Sequence, residues 1–182
     1  MKYLYIALVG FLVLNSCKSE SESISKNEIV EDSFESMNAI ANQIISNGLN
    51  PKLKSQNIKL GKELYAFSSL QIANNDLLIT DSLKECLYQW AALGAEASNR
   101  YDDAITYFYK AQRNFPESIN APKYLHNRAR ILEDIIKNNK SARLAYEELI
   151  ELYPNHPLSI NSKIYLEKVF DKSDAEILNL IK

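Results

Sequence analysis

Residues 103–116 read DAITYFYKAQRNFP, and residues 141–154 read SARLAYEELIELYP. The second stretch begins 38 residues after the first and places Ala142, Tyr146 and Leu149 where the first has Ala104, Phe108 and Ala111. Each ends on an aromatic residue and a proline, Phe115-Pro116 and Tyr153-Pro154. Positions i, i+4 and i+7 share one helical face, so the pattern describes a buried stripe on which a small residue admits a neighbouring helix and a large one fills the space beside it. Proline lacks the amide donor and disfavours helical geometry in the residue before it, which ends each helix.

The same offset extends outward from this pair. Leu87 falls over Leu125 and Ala91 over Ala129 in the preceding helices. One unit earlier, Ala66, Leu70 and Ala73 fall on the three columns and are expected to be buried there, with Leu78 in place of the proline. A lone helical hairpin cannot cover its own apolar face, so a constant offset points to hairpins that stack into a solenoid.

Composition agrees with an all-helical chain. Among 182 residues there are four Gly and five Pro, too few punctuators for a strand-rich fold with many tight turns. Helical patterns run from Ile29 through Phe34, Met37, Ile40, Ala41, Ile44 and Ile45, and again over 52–75, where Gly61 is open to being a turn or a residue within the helix. Further segments follow at 81–97, with Asp81 and Ser82 as candidate caps, at 99–114, 118–137, 140–152, 158–170 and 173–181. Ser173 and Glu176 have the spacing of a capping box.

The residues 99–116 resemble the second half of a tetratricopeptide repeat, through Tyr101, the Ala104, Phe108 and Ala111 signature, and the terminal Pro116. Asn99 stands where that family often has a glycine, and Asn tolerates the left-handed conformation. The resemblance implies an all-α, right-handed α-α superhelix of about three helical hairpins plus a C-terminal capping helix. Repeats are expected at about 47–80, 81–117, 118–156 and, in part, 157–182. Departures from the family pattern are the period of 38 and the first-helix positions Tyr88 and Arg130, which stand where tryptophan and a small residue are usual. In such repeats the first helix of each hairpin lines a concave face, and transferring those positions to this chain gives Gln89, Glu96, Asn127 and Asp134 as partner-binding candidates.

The N-terminus is of another kind. The run YLYIALVGFLVL, residues 3–14, is apolar for about a dozen residues, short of the roughly 20 that span a bilayer, and reads as the core of a secretory signal. It closes on Leu14-Asn15-Ser16-Cys17, which resembles a bacterial lipobox. That resemblance implies a signal peptide over 1–16, diacylglycerol on Cys17, and a polar, flexible tether over 17–28 leading into a helical domain over 29–182. Together the two resemblances suggest a small lipoprotein of Gram-negative envelopes, distantly similar to the outer-membrane barrel-assembly lipoprotein and to the periplasmic protein that works with the Tol-Pal system. They imply outer-membrane localisation with the periplasmic side favoured, and protein partners within the envelope.

Chemistry of other kinds finds little footing. Lys and Arg number 21 against 23 Asp and Glu, so no large basic field exists for a nucleic acid. His126 and His156 have no metal-ligand spacing, and no nucleophile elbow or phosphate-cradling glycine loop occurs. No cofactor, metal or catalytic activity is expected. Cys86 reads as a buried residue of an apolar helix, with Glu85 beside it disfavouring a thiolate; Asp102 and Asp103 read as helix-start acids, and Arg143 with Glu147 as a surface pair. Trp90 and the tyrosines read as core. The function implied is a lipid-anchored scaffold for protein–protein interaction, the alternative being a helical accessory or glycan-binding subunit of an outer-membrane complex.

Overall fold

The computed structural model describes residues 18–48, 50–74, 79–173 and 176, with side chains from Asp32 onward. Seven α-helices occur among them: α1 (Lys18–Asn47), α2 (Lys54–Ala73), α3 (Asp81–Ala97), α4 (Tyr101–Asn114), α5 (Ala121–Asp134), α6 (Asn139–Leu152) and α7 (Pro157–Lys168), with a 3-10 turn at Pro51–Leu53. The chain divides into two units, 1–39 and 40–182. In the first, α1 buries Phe34 and Met37; in the second, its continuation buries Ala41 and Ile44. Helix α1 begins at Lys18, so residues 18–28, expected as a flexible tether, are helical. That run of Ser, Glu, Lys, Asn and Ile contains neither Gly nor Pro, and polarity alone does not stop a helix that an apolar stripe propagates further along.

In the second unit, chain neighbours are spatial neighbours. Helix α2 packs on α3, α3 on α4, α4 on α5, α5 on α6 and α6 on α7, and α7 also returns to α5. This serial packing is what an all-α solenoid of tetratricopeptide type requires. One core gathers Ala92, Ala95, Ala104, Phe108, Ala111, Tyr124 and Ile131; the next gathers Ala129, Leu132, Ala142, Ala145, Tyr146 and Phe170. Ile105 packs against both and so joins successive layers. All six members of the two quoted stripes are buried, as are Leu87, Leu125, Ala91 and Ala129.

The turns repeat as closely as the stripes. Asn99 and Lys137, 38 residues apart, take left-handed φ values of 63° and 60° at the hairpin tips. Phe115 and Tyr153 end α4 and α6 with φ −132° in both and ψ 58° and 56°, each amide donating to a carbonyl four residues back. Helix starts are capped locally: Thr80 Oγ1 accepts from the Leu83 amide, Asn138 Oδ1 from that of Ser141, and His156 Nδ1 from that of Leu158. Thr80 therefore caps α3 in place of the expected Asp81 or Ser82, which lie inside its first turn, where Asp81 suits the helix dipole. The capping box holds: the Ser173 amide donates to Glu176 Oε2 at 2.8 Å, and the Glu176 amide to Ser173 Oγ at 3.4 Å.

The earliest unit departs from the expected register. Among the described residues of 48–80 the one α-helix is α2, whose buried residues are Gly61, Leu64 and Ser68. Ala66, Leu70 and Ala73 are exposed, Leu70 to 66%. The small, large, small reading in α2 is Gly61, Tyr65 and Ser68, which precede Ala104, Phe108 and Ala111 by 43 residues. The spacing from this stripe to that of α4 is 43 residues in place of 38, and a shift of five positions turns the extrapolated columns by roughly 140° about the axis, onto solvent. Gly61 lies within the helix because α3 crosses there: a Cβ on it would stand 2.7 Å from the Ala97 Cβ and 2.8 Å from the Gly94 carbonyl oxygen.

Candidate functional site: a concave cleft lined by first helices

A hollow of about 660 Å³ in the second unit opens along the side of α3 and α5. Ile44 and Ile45 at the end of α1, Ile58 of α2, Leu93 of α3 and Ile135 beyond α5 give it an apolar lining. Asn50, Asn57, Asn99 and Asn127 supply carboxamides, and Tyr101 an aromatic wall. Most of these amides are already committed. Asn57 accepts from Asn47 and donates to the Gly48 carbonyl, Asn50 accepts from the Lys52 amide, and Asn99 accepts from the Tyr101 hydroxyl. They shape the rim, whereas the carboxamide of Asn127 makes no such bond among the described residues.

Across the cleft runs an ion pair, Arg130 Nη2 to Glu96 Oε1 at 2.5 Å, which joins α3 to α5 with both side chains partly exposed. The pair cancels its own charge and leaves Lys54 as the cation on this lining. The cleft can therefore bury apolar side chains while its rim offers hydrogen bonds to a peptide backbone.

A smaller hollow of about 270 Å³ is bounded by His126, Glu133, Asp134, Tyr146, Asn161, Ser162 and Tyr165. Glu133 organises it. Its Oε2 accepts from the Tyr146 hydroxyl at 3.1 Å, and its Oε1 from the Tyr165 hydroxyl. Burial raises both phenols above their ordinary pKa, and the Glu133 carboxylate raises them further. Burial lowers the His126 pKa, with Arg130 adding to the effect, and its ring meets Tyr146 edge to face at 6.0 Å.

The four contact candidates fall into repeat-equivalent pairs, Gln89 with Asn127 and Glu96 with Asp134. Glu96 and Asn127 meet in the larger cleft, and Asp134 lies in the smaller one. Gln89 lines neither; its Oε1 is 3.5 Å from the Tyr124 hydroxyl, which also donates to Glu85 at 2.6 Å. Arg130 and Glu133 belong to these sites but were not singled out as contacts. The opposite charges of Glu96 and Arg130 stand 34 residues apart, an offset that the 38-residue register hides. Cys17 lies outside the described residues.

The remaining titratable residues sit in structural places. Burial raises the Cys86 thiol pKa, and the adjacent Glu85 raises it further, so a thiolate is disfavoured. His156 caps α7, Asp102 and Asp103 open α4, and Arg143 lies 3.9 Å from Glu147 while also reaching Asp171. Trp90 is 7% exposed.

The family model described as tetratricopeptide repeat matches residues 85–118 and 124–156. These windows cover most of α3 with α4, and of α5 with α6. Two segments that match the tetratricopeptide repeat thus lie within an all-α solenoid, and such repeats suggest a role in protein–protein interaction. No curated protein and no solved structure matches the chain.

Proposed function

We propose that the protein is a lipid-anchored scaffold of the bacterial cell envelope, held at the outer membrane on its periplasmic side, whose concave cleft binds a segment of another envelope protein. The observation that carries the binding half is the cleft of about 660 Å³ on the first-helix side, with its apolar lining and the unengaged Asn127 carboxamide. Apolar floors with a few convergent polar groups suit peptide segments. Support for the anchor comes from the sequence Leu14-Asn15-Ser16-Cys17 after an apolar run. Each buried methylene of an acyl chain contributes about 0.8 kcal/mol, so two or three chains on Cys17 hold stably where one would not. A sugar-binding role is disfavoured by the enclosure of Trp90, Tyr124 and Tyr146, because a saccharide platform needs open aromatic faces.

Two measurements test the reading. Photo-crosslinking from Asn127 in intact cells should capture one envelope protein reproducibly, and Ile45→Asp in the cleft should abolish the adduct; an adduct unaffected by that change overturns the binding assignment. Cys17→Ala should eliminate acyl labelling and membrane fractionation, and retention of both overturns the anchor.

A further inference from the structure

The smaller hollow differs from the larger one in charge and in what remains unsatisfied. Its lining includes two carboxylates, Glu133 and Asp134, and neither Lys nor Arg. Neither acid forms an ion pair among the described residues. Ser162, on the α7 side, is 3% exposed, yet its hydroxyl has no hydrogen-bond partner among the described residues. The buried unpartnered side-chain atoms among the described residues are Gln112 Oε1 and Arg128 Nε, so the Ser162 hydroxyl is not sealed off but faces the hollow, free to meet a ligand donor.

We propose that this hollow is a subsite for the primary ammonium of a lysyl side chain on the segment that occupies the concave face. The acceptors come from three separate groups, the Glu133 and Asp134 carboxylates and the Ser162 hydroxyl, which suits an ammonium with its three donors. Each Glu133 oxygen already accepts a tyrosine hydroxyl, so a guanidinium fork finds two free oxygens on Asp134 alone, whereas an ammonium draws on all three groups. Tyr146 and Tyr165 supply aromatic walls for the alkyl stem and for cation–π attraction. The nearby cations are accounted for: Arg130 is held by Glu96, and burial keeps the imidazole of His126 uncharged near neutrality. The lysyl subsite and the apolar cleft lie on α5-lined hollows of successive repeats, so one bound segment can place apolar residues in the first and a lysine in the second.

This inference rests on the concave face being the binding surface, but its test is separate from partner capture. The full chain, labelled with ¹⁵N, is titrated with the peptide acetyl-Ala-Ala-Lys-Ala-Ala-amide at millimolar concentration. The amides of Asp134, Asn161 and Ser162 should shift saturably. Replacing the lysine by Nε-acetyl-lysine, norleucine or arginine should weaken the response roughly fivefold or more, the scale of one lost charge pair. Asp134→Asn, at an exposed position, and Ser162→Ala should each weaken lysine binding while leaving the rest of the spectrum in place. Absence of saturable shifts, equal response to the norleucine or arginine peptide, or unchanged binding by Asp134→Asn overturns the proposal. Crosslinking through Asn127 in the larger cleft reports independently on the scaffold reading.

Discussion

Gly61 and Gly94 meet backbone to backbone where α2 crosses α3: a Cβ on Gly94 would lie 2.6 Å from the Tyr65 amide nitrogen and 2.8 Å from the Gly61 carbonyl oxygen. Both obstacles are main chain, so they cannot swing aside. Gly94→Ala should therefore destabilise the protein by about 3 kcal/mol, at the upper end of overpacking costs, despite the better helix propensity of alanine. Denaturant unfolding of the variant checks this, and Lys62→Ala, at an exposed position of α2, is the control.

The hairpin tips give an opposite expectation. Lys137 adopts φ 60°, a conformation that disfavours any residue with a Cβ. Lys137→Gly should stabilise by about 1 kcal/mol, because relief of that strain exceeds the added freedom of the unfolded chain. A rise in thermal midpoint reads the effect, and a fall would mean that the lysine side chain makes a contact of greater value.

Register is testable by two truncations. Phe108 is 4% exposed and packs into a core with Tyr124, whereas Leu70 is 66% exposed. Phe108→Ala should cost about 3–5 kcal/mol, and Leu70→Ala within about 0.5 kcal/mol of nothing. Equal costs would return α2 to the 38-residue register.

Stability should decline at both ends of the pH scale for identifiable reasons. Burial, with Glu133 for Tyr146 and Tyr165 and Glu85 for Tyr124, raises these phenols above the ordinary value of 10.0. The unfolded chain therefore releases protons first, and stability present below pH 10 is lost as pH rises beyond it. His126 is depressed below 6.5, so its contribution is present above that value and lost as pH falls through the folded pKa. Stability curves measured across pH, with phenolate absorbance in parallel, check both limbs. His126→Gln should flatten the acid limb selectively.

Much of the fold could be read from residues alone where the chain repeats itself closely. The stripes of α4 and α6, the turn at Asn99 and the capping box at Ser173 rest on local chemistry that does not depend on distant packing. The register of α2 was not legible, because its stripe lies 43 residues before that of α4 in place of 38, and the excess is spread over the end of α2, the connection to α3 and the start of α3. The glycine that mattered there, Gly61, signalled a close crossing and not a break. Site residues were half legible for a related reason. Equivalence between repeats finds Glu96 and Asp134, but the Arg130 partner of Glu96 and the two tyrosines around Glu133 are set by how one hairpin leans on the next.

From α2 to α7 every helix leans on its immediate successor, and contacts that reach further, such as α5 with α7 and Tyr65 of α2 with Tyr107 of α4, skip a single helix. Few wide loops must close before the favourable contacts form, so the entropic barrier to folding is low and the rate belongs in the microsecond to millisecond range of helical topologies. Such a chain can also begin at any hairpin and grow outward, which makes a single damaged layer a local delay and not a block.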